Sequence, residues 1–247
     1  MPPVKIPEEL SEALRQAQRV AALTGAGVSA ESGVPTFREA MSGLWGRYRP
    51  EELATPQAFQ RQPRLVWEWY TWRRELIAGV QPNPGHYALA KMQDLITHFS
   101  LITQNVDGLH RQAGSRNVVE LHGNLQRSLC SAERRPVRDW KQNDEIPPRC
   151  PHCGAYLRPD VVWFGESLPA AALEEAMRAA RESQVFFSIG TSSLVQPAAA
   201  LPLLALENGA LVVEINPQET PLSERADFCL RVASGDALPA LVEAVWA

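Results

Sequence analysis

The sequence has few cysteines, no excess of positive charge, and no apolar stretch of signal-peptide length near its N terminus. Only four of the 247 residues are cysteine, which excludes the disulfide framework that stabilises small secreted domains. The 24 Lys and Arg are outnumbered by 28 Asp and Glu, and this disfavours a dedicated nucleic-acid-binding surface. Because this stretch is missing and the cysteines are spaced as in metal sites, we expect a cytoplasmic protein.

One charge-free segment is long enough to be considered as a membrane span. Residues 183–206 contain no charged side chain, and about 20 apolar residues suffice to cross a bilayer. The segment nevertheless includes many polar and proline residues, namely Gln184, Ser188, Thr191, Ser192, Ser193, Gln196, Pro197 and Pro202. We therefore predict a buried strand, a polar turn and a helix here, and no contact with a membrane.

Short apolar runs alternate with helical patterns, as is typical of βαβ units and a parallel sheet. The predicted strands cover residues 20–23, 100–103, 185–189 and 211–215. Three helices are predicted: one starts near Pro7, one covers 197–206, and one follows Asp236, which is its predicted N-cap. The last helix has Leu238, Leu241, Val242 and Val245 facing inward.

Two segments interrupt this alternation. Residues 40–84 are rich in Trp and Arg and contain no strand pattern, and residues 126–158 contain three of the cysteines among prolines and arginines. We predict an α/β fold in which a Rossmann-like parallel sheet (1–39, 85–125 and 159–247) carries a helical insertion (40–84) and a small zinc-binding module (126–158).

Small polar residues follow each predicted strand, and ligands bind beyond the carboxyl ends of strands in open α/β sheets. The first strand is followed by Gly25, Gly27 and Ala30, which match the G-x-G-x-x-A pattern of pyrophosphate-binding loops. Ordinary turns are the alternative for each of these segments. A dehydrogenase would also need an acidic residue after a second strand about 20 residues on. The sequence lacks it, so hydride transfer is disfavoured.

Five motifs, in this order, resemble those of the sirtuin family. They are GAGVSAESGVPTFR at 25–38, TQNVDGLH at 103–110, ELHGN at 120–124, RPDVVWFGE at 158–166 and GTSS at 190–193. The resemblance implies a Rossmann-type NAD domain with a smaller zinc domain. It also implies a reaction that removes an acyl group from lysine in a protein or peptide, consumes NAD+ as co-substrate, and releases nicotinamide and an O-acyl-ADP-ribose.

His122 is the candidate general base, because imidazole titrates near neutral pH; a surface turn histidine is the alternative. The resemblance implies that His122 deprotonates a ribose hydroxyl after the acyl oxygen has attacked the anomeric carbon. It assigns Asn105 and Asp107 to the ribose and the nicotinamide amide, whereas an Asx turn is the alternative for Asp107. The other NAD-contacting positions that it implies are Gly25, Ala26, Gly27, Ser29, Ala30, Glu31, Thr36, Phe37, Arg38, Trp45, Gln104, Val106, Gly190, Thr191, Ser192, Asn216, Pro217, Gln218 and Ser234.

Residues 162–166 alternate like an edge strand, to which an extended acyl-lysine peptide could add through backbone hydrogen bonds. The substrate-binding candidates here are Val162, Phe164, Gly165 and Glu166, and a buried strand is the alternative.

The helical pattern at 63–77 places Tyr70 and Arg73 on one face, three residues apart. A guanidinium there can bind a carboxylate through two parallel hydrogen bonds, although an arginine extending to solvent is the alternative. The Tyr-x-x-Arg pair is similar to the signature of sirtuins that prefer malonyl- and succinyl-lysine. We therefore predict a desuccinylase and demalonylase with weaker deacetylase activity.

The metal module departs from the family pattern of two Cys-x-x-Cys pairs. Cys150 and Cys153 form an intact pair, but Glu133 stands where a thiol would follow Cys130. A carboxylate can ligate zinc, so we predict a structural Zn2+ held by three thiolates and Glu133; a lost or weak site is the alternative. Cys229 lies outside the module and is interpreted as a core residue.

Three other functions are compatible with parts of this sequence. They are a mono-ADP-ribosyltransferase, an NAD-sensing module without catalysis, and a zinc-ribbon adaptor for nucleic acid. The intact His122 disfavours the sensor, and the broken cysteine pair disfavours the adaptor. We expect a monomer without a nucleic-acid partner.

Overall fold

The computed structural model describes residues 4–35, 48–140 and 145–247. Its α-helices are α1 Glu8–Gln16, α2 Ala26–Ala30, α3 Pro50–Leu53, α4 Pro56–Arg61, α5 Pro63–Ala78, α6 Pro84–Leu95, α7 Leu109–Gln112, α8 Ala170–Glu182, α9 Leu201–Glu207 and α10 Ser234–Trp246. Its strands are β1 Arg19–Thr24, β2 His98–Thr103, β3 Val119–Glu120, β4 Gly123–Cys130, β5 Pro136–Val137, β6 Leu157–Val161, β7 Val185–Ile189, β8 Leu211–Ile215 and β9 Phe228–Leu230. Over these described ranges, none of the helices has the length and apolar character that a bilayer span needs.

Six parallel strands form the main sheet in the order β3-β2-β1-β7-β8-β9. Numbered within the sheet, this is the order 3-2-1-4-5-6 of doubly wound dinucleotide-binding folds. All four predicted strands are present. In this sheet β3 and β9 were not predicted, because strands of two or three residues are too short to show a period.

Alternation along β1 explains why the sheet carries helices on both faces. Val20 and Ala22 pack into a cluster with α1, α6 and α10, whereas Ala21 and Leu23 pack into the opposite cluster with α8 and α9. Successive side chains of a strand point to opposite faces, so a strand that is apolar throughout must be covered on both sides.

Two predicted helix boundaries and one predicted burial need correction. Residues 197–206 begin with a 3-10 turn at Ala198–Ala200 before α9 starts. Ala233 is the N-cap of α10, and Asp236 lies inside its first turn, where a carboxylate still complements the helix dipole. Cys229 is not a core residue, because it lies half-buried on the edge strand β9.

A second, antiparallel sheet in the order β5-β4-β6 lies beside the helices α3 to α5. Its strands β4 and β6 run across the predicted limits of the metal module at residues 126 and 158. The predicted edge strand at 162–166 is wrong: β6 ends at Val161, and the segment that follows is a turn in which Gly165 has φ 85°. That left-handed conformation interrupts a strand.

Candidate active site

The glycine loop after β1 lies against the loop after β7. Gly25 N donates to Ile189 O (3.0 Å) and Gly27 N to Gly190 O (2.8 Å). A Cβ on Gly27 would come within 2.7 Å of Gly190 Cα, so this backbone contact itself requires glycine. β1 and β7 are the strands at which the sheet order reverses, where open α/β folds bind their ligands.

Beside this loop the structure brings three predicted site residues together. Asn105 Nδ2 donates to Gly25 O (2.9 Å) and to Ser29 Oγ (3.1 Å), and Ser29 Oγ donates to Asp107 Oδ2 (2.8 Å). Leu109 N donates to Asp107 Oδ1 (2.9 Å), so Asp107 makes an Asx-turn contact as well as the contact to Ser29. Because Asp107 is buried, its pKa is raised, although these two hydrogen bonds and the charge of Arg73 oppose the rise.

His122 lies in the turn between β3 and β4, and its Nδ1 is 3.0 Å from Gln104 O. A carbonyl oxygen only accepts, so we assign the ring proton to Nδ1, which leaves the lone pair of Nε2 available. Burial lowers the pKa of His122, while the hydrogen bond to Gln104 acts in the opposite direction. The neutral form, which a general base needs, is therefore favoured at neutral pH.

A buried pair of histidines under the glycine loop was not predicted. Thr24 Oγ1 lies 2.8 Å from both Thr103 Oγ1 and His110 Nε2. The rings of His110 and His86 are 4.8 Å apart, and His86 Nε2 reaches Ser29 Oγ at 3.4 Å. Burial lowers the pKa of His86 to about 4 and that of His110 to about 3. His110 closes the 103–110 motif, but His86 belongs to none of the motifs and lies 24 residues before it in the sequence, so only the fold could reveal the pair.

The NAD-contacting candidates in the loops after β7 and β8 and beside α10 fall into two groups. Asn216 Nδ2 donates to Thr191 O (2.8 Å), which joins the loops after β7 and β8. Ser192, Pro217 and Gln218 are exposed on these loops. Glu31 and Ser234 contact each other instead: Glu31 Oε2 accepts from Ser234 Oγ (2.7 Å) and from Gly235 N (2.9 Å), which connects the end of α2 to the start of α10.

The remaining NAD-contacting candidates are placed as follows. Gln104 and Val106 are half-buried after β2, Ala26 and Ala30 are exposed on α2, and Gly190 has φ 58° in the loop after β7. Thr36, Phe37, Arg38 and Trp45 lie outside the described residues.

The pair Tyr70 and Arg73 lies on α5, facing this site. The Arg73 guanidinium carbon is 5.1 Å from the centre of the Trp69 ring and 5.9 Å from that of Tyr70. Burial lowers the pKa of Arg73, while the neighbouring Tyr70 and Asp107 raise it; an arginine remains charged in proteins. Burial also raises the pKa of Tyr70 to about 12, so its phenol is neutral. The structure thus places a cation near the Asp107 cluster.

The four predicted substrate contacts at 162–166 have different surroundings. Val162 N donates to His122 O (2.9 Å), and Phe164 has 51% of its surface exposed. Gly165 is exposed, whereas the Glu166 carboxylate is 2.7 Å from Arg158 Nη1. Arg158, buried on β6, was not predicted as a site residue.

The four predicted metal ligands converge. The ligand atoms of Cys130, Glu133, Cys150 and Cys153 all lie within 4.8 Å of one another, and the first and last sulfurs are 3.4 Å apart. In a tetrahedral zinc site with bonds of about 2.3 Å, ligand atoms are separated by roughly 3.8 Å. Three thiols and a carboxylate at these distances fit a zinc ion.

A model of the Sir2 family matches residues 25–197. The chain is 56% identical over 210 residues to the NAD-dependent protein deacylase of Aquifex aeolicus, covering 85% of this chain and 87% of the relative. It is 52% identical over 239 residues to NAD-dependent protein deacylase 1 of Pseudomonas aeruginosa, covering 94% and 96%.

Two solved structures have the same fold. A Sir2 homolog in complex with NAD superposes with a TM-score of 0.91 at 48% identity, covering 98% of this chain and 95% of that one. A Sir2–p53 peptide–NAD+ complex superposes with a TM-score of 0.85 at 30% identity, covering 97% and 98%. The match to the family model and the identity to these relatives show that the chain belongs to the Sir2 family.

Proposed function

We propose that this protein is an NAD-dependent protein-lysine deacylase that prefers malonyl- and succinyl-lysine to acetyl-lysine. The observation that carries the proposal is the position of Arg73, whose charge acts on Asp107 inside the cluster formed with Ser29 and Asn105. The deacylase activity is supported by the names of the relatives, and the acidic acyl preference by the Tyr70–Arg73 pair.

In this proposal NAD+ lies at the crevice between the loops after β1 and β7 and supplies the ribose that accepts the acyl group. Ser29, Asn105 and Asp107 bind and orient its nicotinamide half, because they form one hydrogen-bonded cluster there. Asn216 and Thr191 hold the adenosine half. His122, with its proton on Nδ1, removes a proton from a ribose hydroxyl through Nε2.

Arg73 supplies the acyl specificity. A succinyl or malonyl chain ends in a carboxylate, and a guanidinium is the side chain that binds a carboxylate through two hydrogen bonds. Tyr70 lies beside Arg73 on α5 and its phenol is neutral. The phenol can therefore donate a hydrogen bond to the acyl carboxylate without repelling it. An acetyl group has no carboxylate and cannot use Arg73.

The test is nicotinamide release with acetyl, malonyl and succinyl versions of one lysine peptide. We expect the succinyl and malonyl peptides to be preferred, and Arg73→Met to lower kcat/KM for succinyl by about 100-fold, equivalent to losing roughly 3 kcal/mol of charged hydrogen bonding. The deacetylase activity should change far less. Arg64→Met, which removes an exposed cation from the same helix, is the matched control and should leave all three activities unchanged.

An equal loss of all three activities in Arg73→Met would contradict the acyl assignment. Transfer of label from NAD+ to protein, without loss of an acyl group, would favour a mono-ADP-ribosyltransferase instead. Absence of nicotinamide release with every peptide would favour a non-catalytic NAD sensor.

A further inference from the structure

The metal knuckle, residues 130–135, is a tight turn whose last part reaches the substrate side of the molecule. Arg134 N donates to Cys130 O (2.9 Å), and Cys130 N donates to Arg135 O (3.0 Å). Arg134 has φ 54°, a left-handed conformation that a non-glycine residue seldom adopts. From this turn the Arg134 side chain reaches Glu166, with its Nη1 2.7 Å from Glu166 Oε1.

The carboxylate of Glu166 accepts four hydrogen bonds. Besides Arg134, Arg158 donates to both oxygens (2.7 and 2.8 Å), and Trp163 N donates to Oε2 (2.9 Å). A carboxylate has about four lone-pair sites, so this acceptor capacity is used within the protein. Burial would raise the pKa of Glu166, but the donors outweigh burial and lower it to about 2. Glu166 is therefore ionised at every working pH.

The same arrangement fixes Trp163. The Arg158 guanidinium carbon lies 3.4 Å from the centre of the Trp163 ring, and Trp163 Nε1 donates to Tyr70 Oη (3.0 Å). Glu166 thus determines the conformation of the turn that begins at Trp163. This tryptophan in turn contacts Tyr70, the neighbour of Arg73 in the proposed acyl site. A continuous series of polar contacts leads from the metal knuckle to Tyr70.

We propose that Arg134 and Glu166 are positioning residues that connect the metal knuckle to the acyl-lysine site, and that Glu166 does not contact the substrate itself. The proposal rests on the proposed function, since it requires that the turn 162–166 receives the acyl peptide. The buried pair of Glu166 and Arg158 fixes the turn, because their side chains are only 9% and 4% exposed. Arg134, which is 54% exposed, aligns this turn with the knuckle.

The predicted consequence is a change in peptide KM without a change in the chemical step. Arg134→Met removes an exposed partner, so the fold should survive and peptide KM should rise about 2- to 5-fold. kcat at saturating peptide and KM for NAD+ should stay constant, because neither His122 nor the NAD crevice is altered. Arg134→Lys keeps the charge and should restore most of the peptide affinity. Glu166→Gln should raise peptide KM by about tenfold or more, since it leaves the buried Arg158 unpaired.

The experiment measures steady-state kinetics of the zinc-loaded full chain with one acyl peptide, together with metal content and melting temperature. Arg138→Met, which alters another exposed arginine near the knuckle, is the matched control and should leave peptide KM unchanged. In the Glu166→Gln background Arg134→Met should have no further effect, because the two residues act through one contact.

Three outcomes would overturn the inference. They are an unchanged peptide KM in Arg134→Met, additive effects in the double variant, or a KM rise that comes with loss of zinc from Arg134→Met. If the wild-type chain itself releases no nicotinamide, the proposed function fails. If the wild type is active and Arg134→Met binds peptide normally, only this inference fails.

Discussion

At the scale of single residues, the tautomer and the pKa of His122 set the pH range of the proposed reaction. Its Nδ1 is held by Gln104 O, so Nε2 is the ring nitrogen available to act as the proposed base. Because burial lowers the pKa of the ring, the neutral form persists below the ordinary value of 6.5. Activity is lost only when the pH falls through this lowered pKa.

We therefore predict that the acid limb of the kcat/KM profile lies below pH 6.5, and that His122→Tyr abolishes turnover while the melting temperature is preserved. The measurement is nicotinamide release from pH 5 to 8 with a saturating acyl peptide present in excess over NAD+. His98→Asn alters an exposed histidine and should keep the wild-type profile. An acid limb above 6.5, or turnover by His122→Tyr, would rule out the general-base role.

The buried pair of His86 and His110 gives a second effect of single residues, on stability. Both histidines have lowered pKa values in the folded state, about 4 and about 3, so the unfolded chain binds protons more readily between those values and about 6.5. The stability that the folded state gains from keeping these histidines neutral is complete above pH 6.5 and is lost as the pH falls. When the pH is lowered from 7 to 5, the free energy of unfolding falls by on the order of 2 kcal/mol for each histidine.

We predict that His110→Gln reduces this pH dependence. Urea unfolding at pH 7 and pH 5 should show a smaller loss of unfolding free energy in the variant than in the wild type, by about the contribution of one histidine. The comparison between variants cancels the titration of the carboxyl groups that both proteins share, including Asp107. Equal losses in both proteins would show that His110 does not titrate in this range.

At the scale of elements, the predicted ligand set of the metal knuckle differs from a four-cysteine site at one position, Glu133. The Glu133 carboxylate that would complete the site also accepts from Arg135 Nη2 (2.6 Å). Carboxylate oxygen is a harder donor than thiolate, and zinc in structural sites favours sulfur. The knuckle should therefore hold zinc less tightly than a four-cysteine knuckle.

We predict that Glu133→Cys increases zinc affinity by at least about tenfold, since even changes outside the ligand shell alter metal affinity by that much. Competition with a chromophoric chelator measures the affinity directly, without reference to catalysis. Ala132→Cys adds a thiol one position away and should leave the affinity unchanged. If Glu133→Cys and the wild type lose zinc at the same chelator concentration, Glu133 is not a ligand.

The elements also show what local patterns could predict about the site. Asn105, Asp107 and Thr191 were found because polar residues follow buried strands, and the C-terminal ends of parallel strands must share one edge. The alternation at 162–166 does not mark a strand, because Trp163 is buried by the Phe59 and Tyr70 rings and by Arg158, and not by a sheet. A period-2 pattern cannot distinguish a strand from a turn with one buried aromatic residue.

At the scale of the whole molecule, the second sheet has a large core at one end, where Leu125 and Val161 pack against α3 to α5, and a small one at the metal end. Large apolar clusters cover both faces of the parallel sheet. Among the described residues, the buried cluster at the predicted metal site consists of Trp67, Cys130, Val137, Cys150 and Leu157, with Trp140 and Ala155 packed against it. Two of its five buried members, Cys130 and Cys150, are predicted metal ligands, so a metal that crosslinks them would supply much of the local stability.

We predict that a strong chelator unfolds the region around β4 and β5 without unfolding the parallel sheet. Hydrogen exchange should show loss of amide protection at residues 126–140 and 145–156, while the amides of β1, β7 and β8 stay protected. Cys153→Ser should show the same exchange pattern before chelator is added and no further change after it. Simultaneous loss of amide protection in both sheets would contradict the prediction that the metal region unfolds independently of the parallel sheet.

The sequence by itself determined the family, the four central strands and the residues at their ends, because these features depend on local order: glycine spacing, alternation, and polar residues directly after apolar runs. Only the tertiary structure decided which distant residues meet. Glu31 pairs with Ser234, 203 residues away, Arg134 pairs with Glu166, and His86 lies against His110. Such contacts depend on how helices and loops pack in space, and spacing along the chain carries no record of that packing.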